Sequence, residues 1–240
     1  MNLTGKTETG RRQHNEDAFL TYTENDRCIV AVSDGMGGHA AGERASAIAV
    51  TKLKEVLSEK PHIEELQLRD AFAAVNRAVY DTAASDEALY GMGATLVCVV
   101  PYLREFIAAN VGDSRLYQYH DGALRQISHD HSFVAELVRR KIITSAEAKT
   151  HPRRNLITRA IGTDKAVKVD LFRCEWEKDD ILLLCSDGVS GVLEDEQMAS
   201  ILDRSRTLDE ACNALIDHAY SAGSTDNMTV VLVQNTEDRE

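Results

Sequence analysis

Proline and long apolar runs are scarce in this chain. Its 240 residues contain three prolines and no Ser/Gly-rich tract, which leaves no obvious linker between domains. We therefore expect one domain over residues 1–235 and a disordered tail over 236–240. No apolar run approaches the roughly eighteen residues of a membrane-spanning helix, and no secretory signal follows Met1. These absences predict a cytoplasmic protein with no membrane partner.

Cysteine is also sparse and irregularly spaced. The cysteines are odd in number and show no C-x-x-C spacing; they are Cys28, Cys98, Cys174, Cys185 and Cys212. Most of them lie inside apolar segments, where cysteine behaves as a small hydrophobic residue. A disulfide framework and a thiolate metal site are therefore not expected, and a reducing compartment is favoured.

Positive charge is in short supply as well. Lys and Arg total 27 against 39 Asp and Glu, so the formal net charge is −12. This balance argues against a nucleic-acid partner and against docking on anionic lipid. Residues 130–163 are the exception, because they are polar and basic. They can form a solvated helical excursion or a mobile flap that meets a negatively charged substrate, and the sequence leaves both readings open.

Strand-like and helix-like segments are grouped rather than alternating. Strands are predicted over residues 18–23, 27–33, 94–100, 105–111, 115–120, 166–174, 180–185 and 227–234. Apolar stripes at three-to-four spacing predict one helix pair over 41–57 and 68–79 and a second over 194–203 and 208–222. Grouped strands and grouped helices are typical of an α+β fold in which helices cover two antiparallel sheets.

Four aspartates lie at the edges of predicted strands beside glycine or asparagine: Asp17, Asp34, Asp187 and Asp226. Burying a bare carboxylate is costly unless it is paired or bound to a cation. Four acidic groups cannot neutralise one another, so this pattern predicts a metal site. A set of oxygen ligands without a competing His/Cys set favours Mg²⁺ or Mn²⁺.

The segment Gly35–Ala40 matches the dinucleotide-binding pattern G-x-G-x-x-A after a strand. Asp34 directly precedes the first glycine, where its charge would repel a pyrophosphate. The helix that follows leads to a second helix instead of the parallel strand that a Rossmann unit requires. We therefore exclude nucleotide binding.

Six short motifs in register give the chain a family resemblance. They are Gly10-x-Arg12-x-x-Asn15-Glu16-Asp17, Ser33-Asp34-Gly35-Met36-Gly37-Gly38-His39, Gly91-Met92-Gly93-Ala94-Thr95, Asn110-Val111-Gly112-Asp113-Ser114-Arg115, Ser186-Asp187-Gly188 and Asp226-Asn227. In this order they resemble the metal-dependent protein phosphatases, the PPM or type 2C family. His129-Asp130-His131-Ser132 and the segment 151–162 look like its bacterial Ser/Thr branch.

The resemblance implies a four-layer α/β–β/α sandwich with a flap at about 130–163 and two Mn²⁺ or Mg²⁺ ions. It implies that Asp34 bridges both ions. The Gly35 carbonyl would bind one ion, and Asp187 and Asp226 would bind the other. Asp17 and Glu16 would hold the second ion, partly through water. Asp113 would bind a third, weaker ion together with Asp187. The alternative for Asp113 is an ordinary turn-capping aspartate.

The resemblance also implies catalytic roles. Two cations can acidify a bridging water, and the resulting hydroxide would attack phosphorus directly. Arg12 would hold two phosphate oxygens, unless it is only a surface residue beside Arg11. Some relatives carry histidine at the position of Met36, which has no proton to give. A water on the third ion oriented by Asp113, or His39, would then supply the proton to the leaving group; His39 can instead cap the next helix.

We therefore expect a monomeric enzyme that hydrolyses phosphoserine and phosphothreonine in proteins, opposing a bacterial Ser/Thr kinase. Two alternatives are a catalytically silent phosphoprotein-binding module and a partner-switching phosphatase of an anti-sigma antagonist. Loss of Asp34, Asp187 or Asp226 would favour the first alternative, but all three are present. The second usually carries a sensor domain, for which this chain has no room.

Overall fold

The computed structural model describes residues 1–24, 27–37, 40–60 and 62–236. Its strands are β1 (Asn2–Glu8), β2 (Asp17–Glu24), β3 (Arg27–Met36), β4 (Gly93–Ala94), β5 (Leu96–Pro101), β6 (Glu105–Val111), β7 (Arg115–His120), β8 (Ala123–Gln126), β9 (Asp170–Glu175), β10 (Ile181–Cys185) and β11 (Met228–Gln234). Its helices are α1 (Ala40–Ser58), α2 (Glu65–Ser85), α3 (Phe133–Arg139), α4 (Ser145–Thr150), α5 (Asp187–Ser190), α6 (Asp195–Arg204) and α7 (Leu208–Ser221), with a 3₁₀ turn at Glu87–Leu89.

The strands form two antiparallel sheets. One sheet has the order β1-β11-β10-β7-β8, and the other has the order β2-β3-β5-β6-β9, with β4 paired to β3. The first and last strands of the chain therefore lie side by side, with Lys6 opposite Val230. This pairing brings the residues before β2 next to those before β11.

Apolar side chains fill three layers, because the central strands are covered on both faces. In β3, Ile29 and Ala31 pack in the cluster that contains α1 and α2, whereas Val30 and Val32 pack between the two sheets. A third cluster joins the β10–β11 sheet to α6 and α7. Successive side chains of a strand point to opposite faces, so a strand buried on both faces is apolar throughout. The predicted α+β sandwich of helix pair, sheet, sheet and helix pair is confirmed.

The sequence pattern failed at the sheet edges. It missed β1, whose residues Asn2–Glu8 are polar and only half-buried, and the four-residue edge strand β8. It also predicted a strand over residues 166–174, whereas β9 begins only at Asp170. An edge strand with little buried surface carries no strong apolar alternation, so these elements leave little trace in the pattern.

The flap, residues 130–163, contains both short helices α3 and α4. Neither helix has a buried residue. An isolated bridge between Ser132 and Ile157 closes the segment on itself.

Among the residues that the structure describes, no helix is both long and apolar enough to cross a membrane. Residues 237–240 of the predicted tail lie outside the described residues.

Candidate active site

Five aspartates meet at one end of the sandwich. Asp17 and Asp34 lie directly opposite each other in the β2–β3 register. Asp187 follows β10, Asp226 precedes β11, and Asp113 lies between β6 and β7. Burial, and then the negative charges of the other four, raise the pKa of Asp34. The structure thus brings together the aspartates singled out in the sequence.

Burial makes these carboxylates unfavourable as free anions. Burial first, and then neighbouring negative charge, raises the pKa of Asp17 and of Asp113 to about 7 and that of Asp187 to about 6. The same causes hold the pKa of Asp34 well above its ordinary value. Such a cluster is stabilised either by protons or by cations.

Three carboxylate oxygens are buried and accept no hydrogen bond from the described residues: Oδ1 of Asp17, Asp113 and Asp187. An unsatisfied buried acceptor is costly, and a hard divalent cation satisfies such oxygens well. Within the described part of the chain, no group of three His, Cys, Asp or Glu side chains could hold an ion as it stands. The donor chemistry of the unpartnered carboxylate oxygens nevertheless fits Mn²⁺ or Mg²⁺.

Two buried hydroxyls fix one side of Asp17. Ser186 Oγ and Thr229 Oγ1 each donate to Asp17 Oδ2 at 2.7 Å. The backbone N–H of Thr229 in turn donates to Ser186 Oγ at 3.0 Å. With Oδ2 occupied, Oδ1 is the oxygen of Asp17 that remains for a cation.

Asp34 is held through its backbone. Its N–H donates to Thr95 Oγ1 at 2.8 Å, and its carbonyl accepts from the Thr95 N–H at 2.8 Å. The Thr95 hydroxyl also lies 2.7 Å from Ser114 Oγ, beside Asp113. These bonds join β3 to Thr95, between β4 and β5, and to the turn after β6, which leaves the Asp34 side chain to face the cluster.

Both glycines that follow a site aspartate lie where no side chain fits. A Cβ on Gly35 would lie 2.0 Å from the carbonyl oxygen of Gly42 in α1, and one on Gly188 would lie 1.8 Å from that of Asn227. Each contact is with backbone, which cannot easily move away. The structural reason for glycine is thus the close packing of the Asp-Gly turns against neighbouring backbone.

Arg12 reaches into the cluster from the loop before β2. Its Nη2 donates to Asp226 Oδ2 at 2.7 Å, while its side chain stays 57% exposed. Asn227 anchors this loop, because its Oδ1 accepts from the Glu16 N–H and its Nδ2 donates to the carbonyls of Thr9 and His14. The Glu16 carboxylate lies against α1, where a Cβ on Gly42 would be 2.6 Å from its Oε2.

Two residues bear on the supply of a proton to the leaving group: Met36, which has no proton to give, and His39. Met36 lies in β3 opposite Gly93, and a Cβ on Gly93 would lie 2.8 Å from its Cε. The thioether therefore packs against β4. His39, the second candidate for the acid, lies outside the described residues.

Sequence reasoning assigned no role to the residues that attach the flap to the site. His131 is 3% exposed, and its Nδ1 accepts from the Gly112 N–H at 3.0 Å, directly before Asp113. Burial lowers the pKa of His131, and its Nε2 lies 3.2 Å from Asp170 Oδ2 and 2.7 Å from Arg159 Nη1. Arg115 forms a bidentate pair with Asp130, with its Nη2 2.7 Å from Oδ2. These residues belong to the motifs His129–Ser132 and Asn110–Arg115, which contributed to the family resemblance but did not predict the contacts.

The four-layer sandwich and the carboxylate cluster at one end fit a metal-dependent phosphatase. The sequence model of the family described as "Protein phosphatase 2C" matches residues 4–226. The chain therefore belongs to the protein phosphatase 2C family.

Named relatives span the whole chain. It is 41% identical over 241 residues to "Serine/threonine phosphatase stp" of Listeria monocytogenes, covering 98% of this chain and 96% of the relative. It is 32% identical to "Protein phosphatase PhpP" of Streptococcus pneumoniae, with both chains covered completely.

Solved structures are equally similar. The serine/threonine phosphatase Stp1 of Staphylococcus aureus matches with a TM-score of 0.92 and 37% identity, over 97% of this chain and 94% of that one. The catalytic domain of the phosphatase PstP in complex with two manganese ions matches with a TM-score of 0.88 and 33% identity, over 98% of both chains. The present chain is thus a protein serine/threonine phosphatase that depends on Mn²⁺ or Mg²⁺.

Proposed function

We propose that the aspartate cluster holds two divalent cations and that a third, weaker ion binds at Asp113 and Asp187. The proposed ligands are the side chains of Asp17, Glu16, Asp34, Asp187 and Asp226 and the carbonyl of Gly35. The observation that carries this proposal is the set of buried Oδ1 atoms of Asp17, Asp113 and Asp187, which have no hydrogen-bond partner among the residues that the structure describes. When bound, the cations supply an activated water for attack on phosphorus and offset the charge of the phosphoryl group.

Arg12 binds the phosphate in this proposal. Its guanidinium lies at the carboxylate cluster on an exposed side chain, so it can exchange Asp226 for the oxygens of a substrate phosphate. A planar guanidinium can donate to two phosphate oxygens at once and stabilise charge that develops in the transition state. Asn227 keeps the loop that carries Arg12 in place.

A serine or threonine alkoxide is a poor leaving group and needs a proton. Met36 cannot give one. Asp113 is our first candidate to hold the water that supplies it, because its buried Oδ1 has no partner among the described residues and the bonds of Thr95 and Ser114 brace the neighbouring backbone. His39 is the second candidate.

We further propose that the substrates are bacterial phosphoproteins, that the enzyme opposes a Ser/Thr kinase, and that it acts in the cytoplasm as a monomer with one domain over residues 1–235. The relatives named serine/threonine phosphatases support the first statement. The cysteines are free thiols, four of them buried, which is compatible with a reducing compartment.

The decisive experiment is hydrolysis of a phosphothreonine peptide with Mn²⁺, with EDTA, and by Asp34→Asn. We expect EDTA to abolish turnover and Asp34→Asn to lower kcat by about 1000-fold, the order of loss seen when a principal electrostatic group is removed. Asp217→Asn, an exposed aspartate on α7, is the matched control and should behave as the wild type. Turnover that survives EDTA would contradict the metal mechanism. A folded, metal-loaded protein without turnover would instead favour a phosphoprotein-binding module.

A further inference from the structure

A cavity lies between the flap and residues 187–196. Its volume is about 770 Å³, which is within the range of ligand-binding sites. Asp113 and Asp187 form part of its lining, so the cavity opens directly onto the carboxylate cluster. Any molecule bound in it would lie next to the reacting phosphate.

Both walls of this cavity carry apolar side chains. Val134, Ala135 and Val138 of α3 form one wall, and Val192 and Leu193 belong to the other. All of α3 is only half-buried or exposed, although five of its seven residues are apolar. A helix of a folded domain normally buries its apolar stripe against another element. Three of the five apolar residues of α3, Val134, Ala135 and Val138, line the cavity instead.

Four of the charged side chains that line the cavity are joined in two ion pairs. Lys149 of α4 forms an ion pair with Glu194, which joins the flap to the start of α6 across the cavity. Arg115, at the inner end, is occupied by Asp130. Paired charges offer little net attraction to a charged ligand. The apolar walls offer a surface on which an apolar side chain can be selected.

We propose that this cavity binds the stretch of substrate polypeptide on one side of the phosphorylated residue and takes up one apolar side chain between α3 and Val192. The inference rests on the proposed function, because it places the phosphoryl group at the aspartates. Continuity of the cavity with Asp113 and Asp187 identifies the occupant: a chain that leaves the reacting phosphate along this path runs between the two apolar walls. The enzyme consequently prefers phosphoproteins with an apolar residue at one fixed distance from the phosphoresidue.

The test uses the full-length enzyme with Mn²⁺ and a set of phosphothreonine peptides. One leucine is moved position by position through an otherwise alanine-based peptide, on both sides of the phosphothreonine. We expect one position, on one side only, to raise kcat/KM about tenfold over the all-alanine peptide through a lower KM, which is the effect of partly burying one leucine. Equal rates for all positions would overturn the proposal.

Variants locate the effect. Val138→Ser and Val192→Thr, one on each wall, should reduce the leucine preference to less than about threefold. Ile142→Ser is the matched control, because Ile142 is a 62% exposed flap residue that does not line the cavity. The ratio of leucine to alanine peptide is taken within each variant, so a general loss of activity cancels. A preference kept by Val138→Ser, or lost equally by Ile142→Ser, would overturn the assignment to this cavity.

Failure of this inference differs from failure of the proposed function. If the metal mechanism is wrong, no peptide and no small aryl phosphate is hydrolysed in a Mn²⁺-dependent way. If only the cavity assignment is wrong, every peptide is hydrolysed with Mn²⁺ and none is hydrolysed with EDTA. The position of the leucine then has no effect on the rate.

Discussion

The carboxylate end of the sandwich and the flap are built in opposite ways. Asp17 and Asp113 are at least nine-tenths buried, and hydroxyls and backbone groups from several strands surround the cluster. The flap helices α3 and α4 bury no residue. Charge divides in the same way: residues 130–163 carry seven Lys and Arg against three Asp and Glu, a net +4, which leaves −12 − 4 = −16 for the rest of the chain.

This contrast separates chemistry from recognition. Groups that hold cations must keep their positions to a fraction of an ångström, and buried hydrogen bonds between core strands provide that rigidity. Segments with few buried contacts open at low free energy and can adapt to a ligand. The buried end therefore suits a reaction common to all substrates, and the flap suits the distinction among them.

Among the substitutions that test this contrast, we expect replacement of Arg12 to have the largest effect on kcat/KM. Arg12→Ala should lower kcat/KM by about 100-fold for a phosphopeptide and for a small aryl phosphate alike, since it removes a donor to the phosphoryl group itself. Steady-state kinetics with both substrates measures this. Arg11→Ala is the control, because Arg11 stacks over Tyr220 with its Cζ 5.3 Å from the ring centre. Equal losses in the two variants would remove Arg12 from the site.

Ser186 tests whether the buried frame acts on the cations. Ser186→Ala deletes one of the two hydroxyls on Asp17 Oδ2 and should weaken Mn²⁺ binding by about tenfold, as losses of groups that orient metal ligands do. Titration calorimetry with Mn²⁺ measures the dissociation constant without reference to activity. Ser145→Ala, an exposed serine at the start of α4 in the flap, should leave it unchanged. An unaltered constant in Ser186→Ala would show that Asp17 needs no such support.

The sequence predicted site residues correctly where one short segment indicates both a buried strand and a charged side chain at its end. Asp34 and Asp187 could be found because each adjoins an apolar run that had to be a buried strand. The hydroxyls on Asp17 could not, because Ser186 and Thr229 lie 169 and 212 residues away in the chain, and only the sheet topology brings them together. A hydroxyl in an apolar strand is unspecific on its own.

The same limit explains the flap. Its basic composition marked residues 130–163 as different, but the contact from His131 to the Gly112 N–H depends on how the segment docks. The cavity is likewise a property of two surfaces, α3 and the residues after β10, that are far apart in sequence. Patterns along a chain predict which side chains are buried within one element and do not predict which elements face each other.

The smallest expected effect is on stability, through the raised pKa values of the buried aspartates. Asp17 and Asp113 have pKa values of about 7 in the fold, against about 3.9 in an unfolded chain. Their contribution to stability is therefore present below about pH 4 and is lost as the pH rises through 7. Since Mn²⁺ competes with these protons, the gain in Tm from saturating Mn²⁺ over EDTA should be several degrees larger at pH 8 than at pH 5.5. Asp17→Asn should flatten this dependence, whereas Asp217→Asn should not. Equal gains at both pH values would mean that the buried carboxylates already lose their protons without a cation. The contrast in charge between the two regions would then have no effect on the free energy of unfolding.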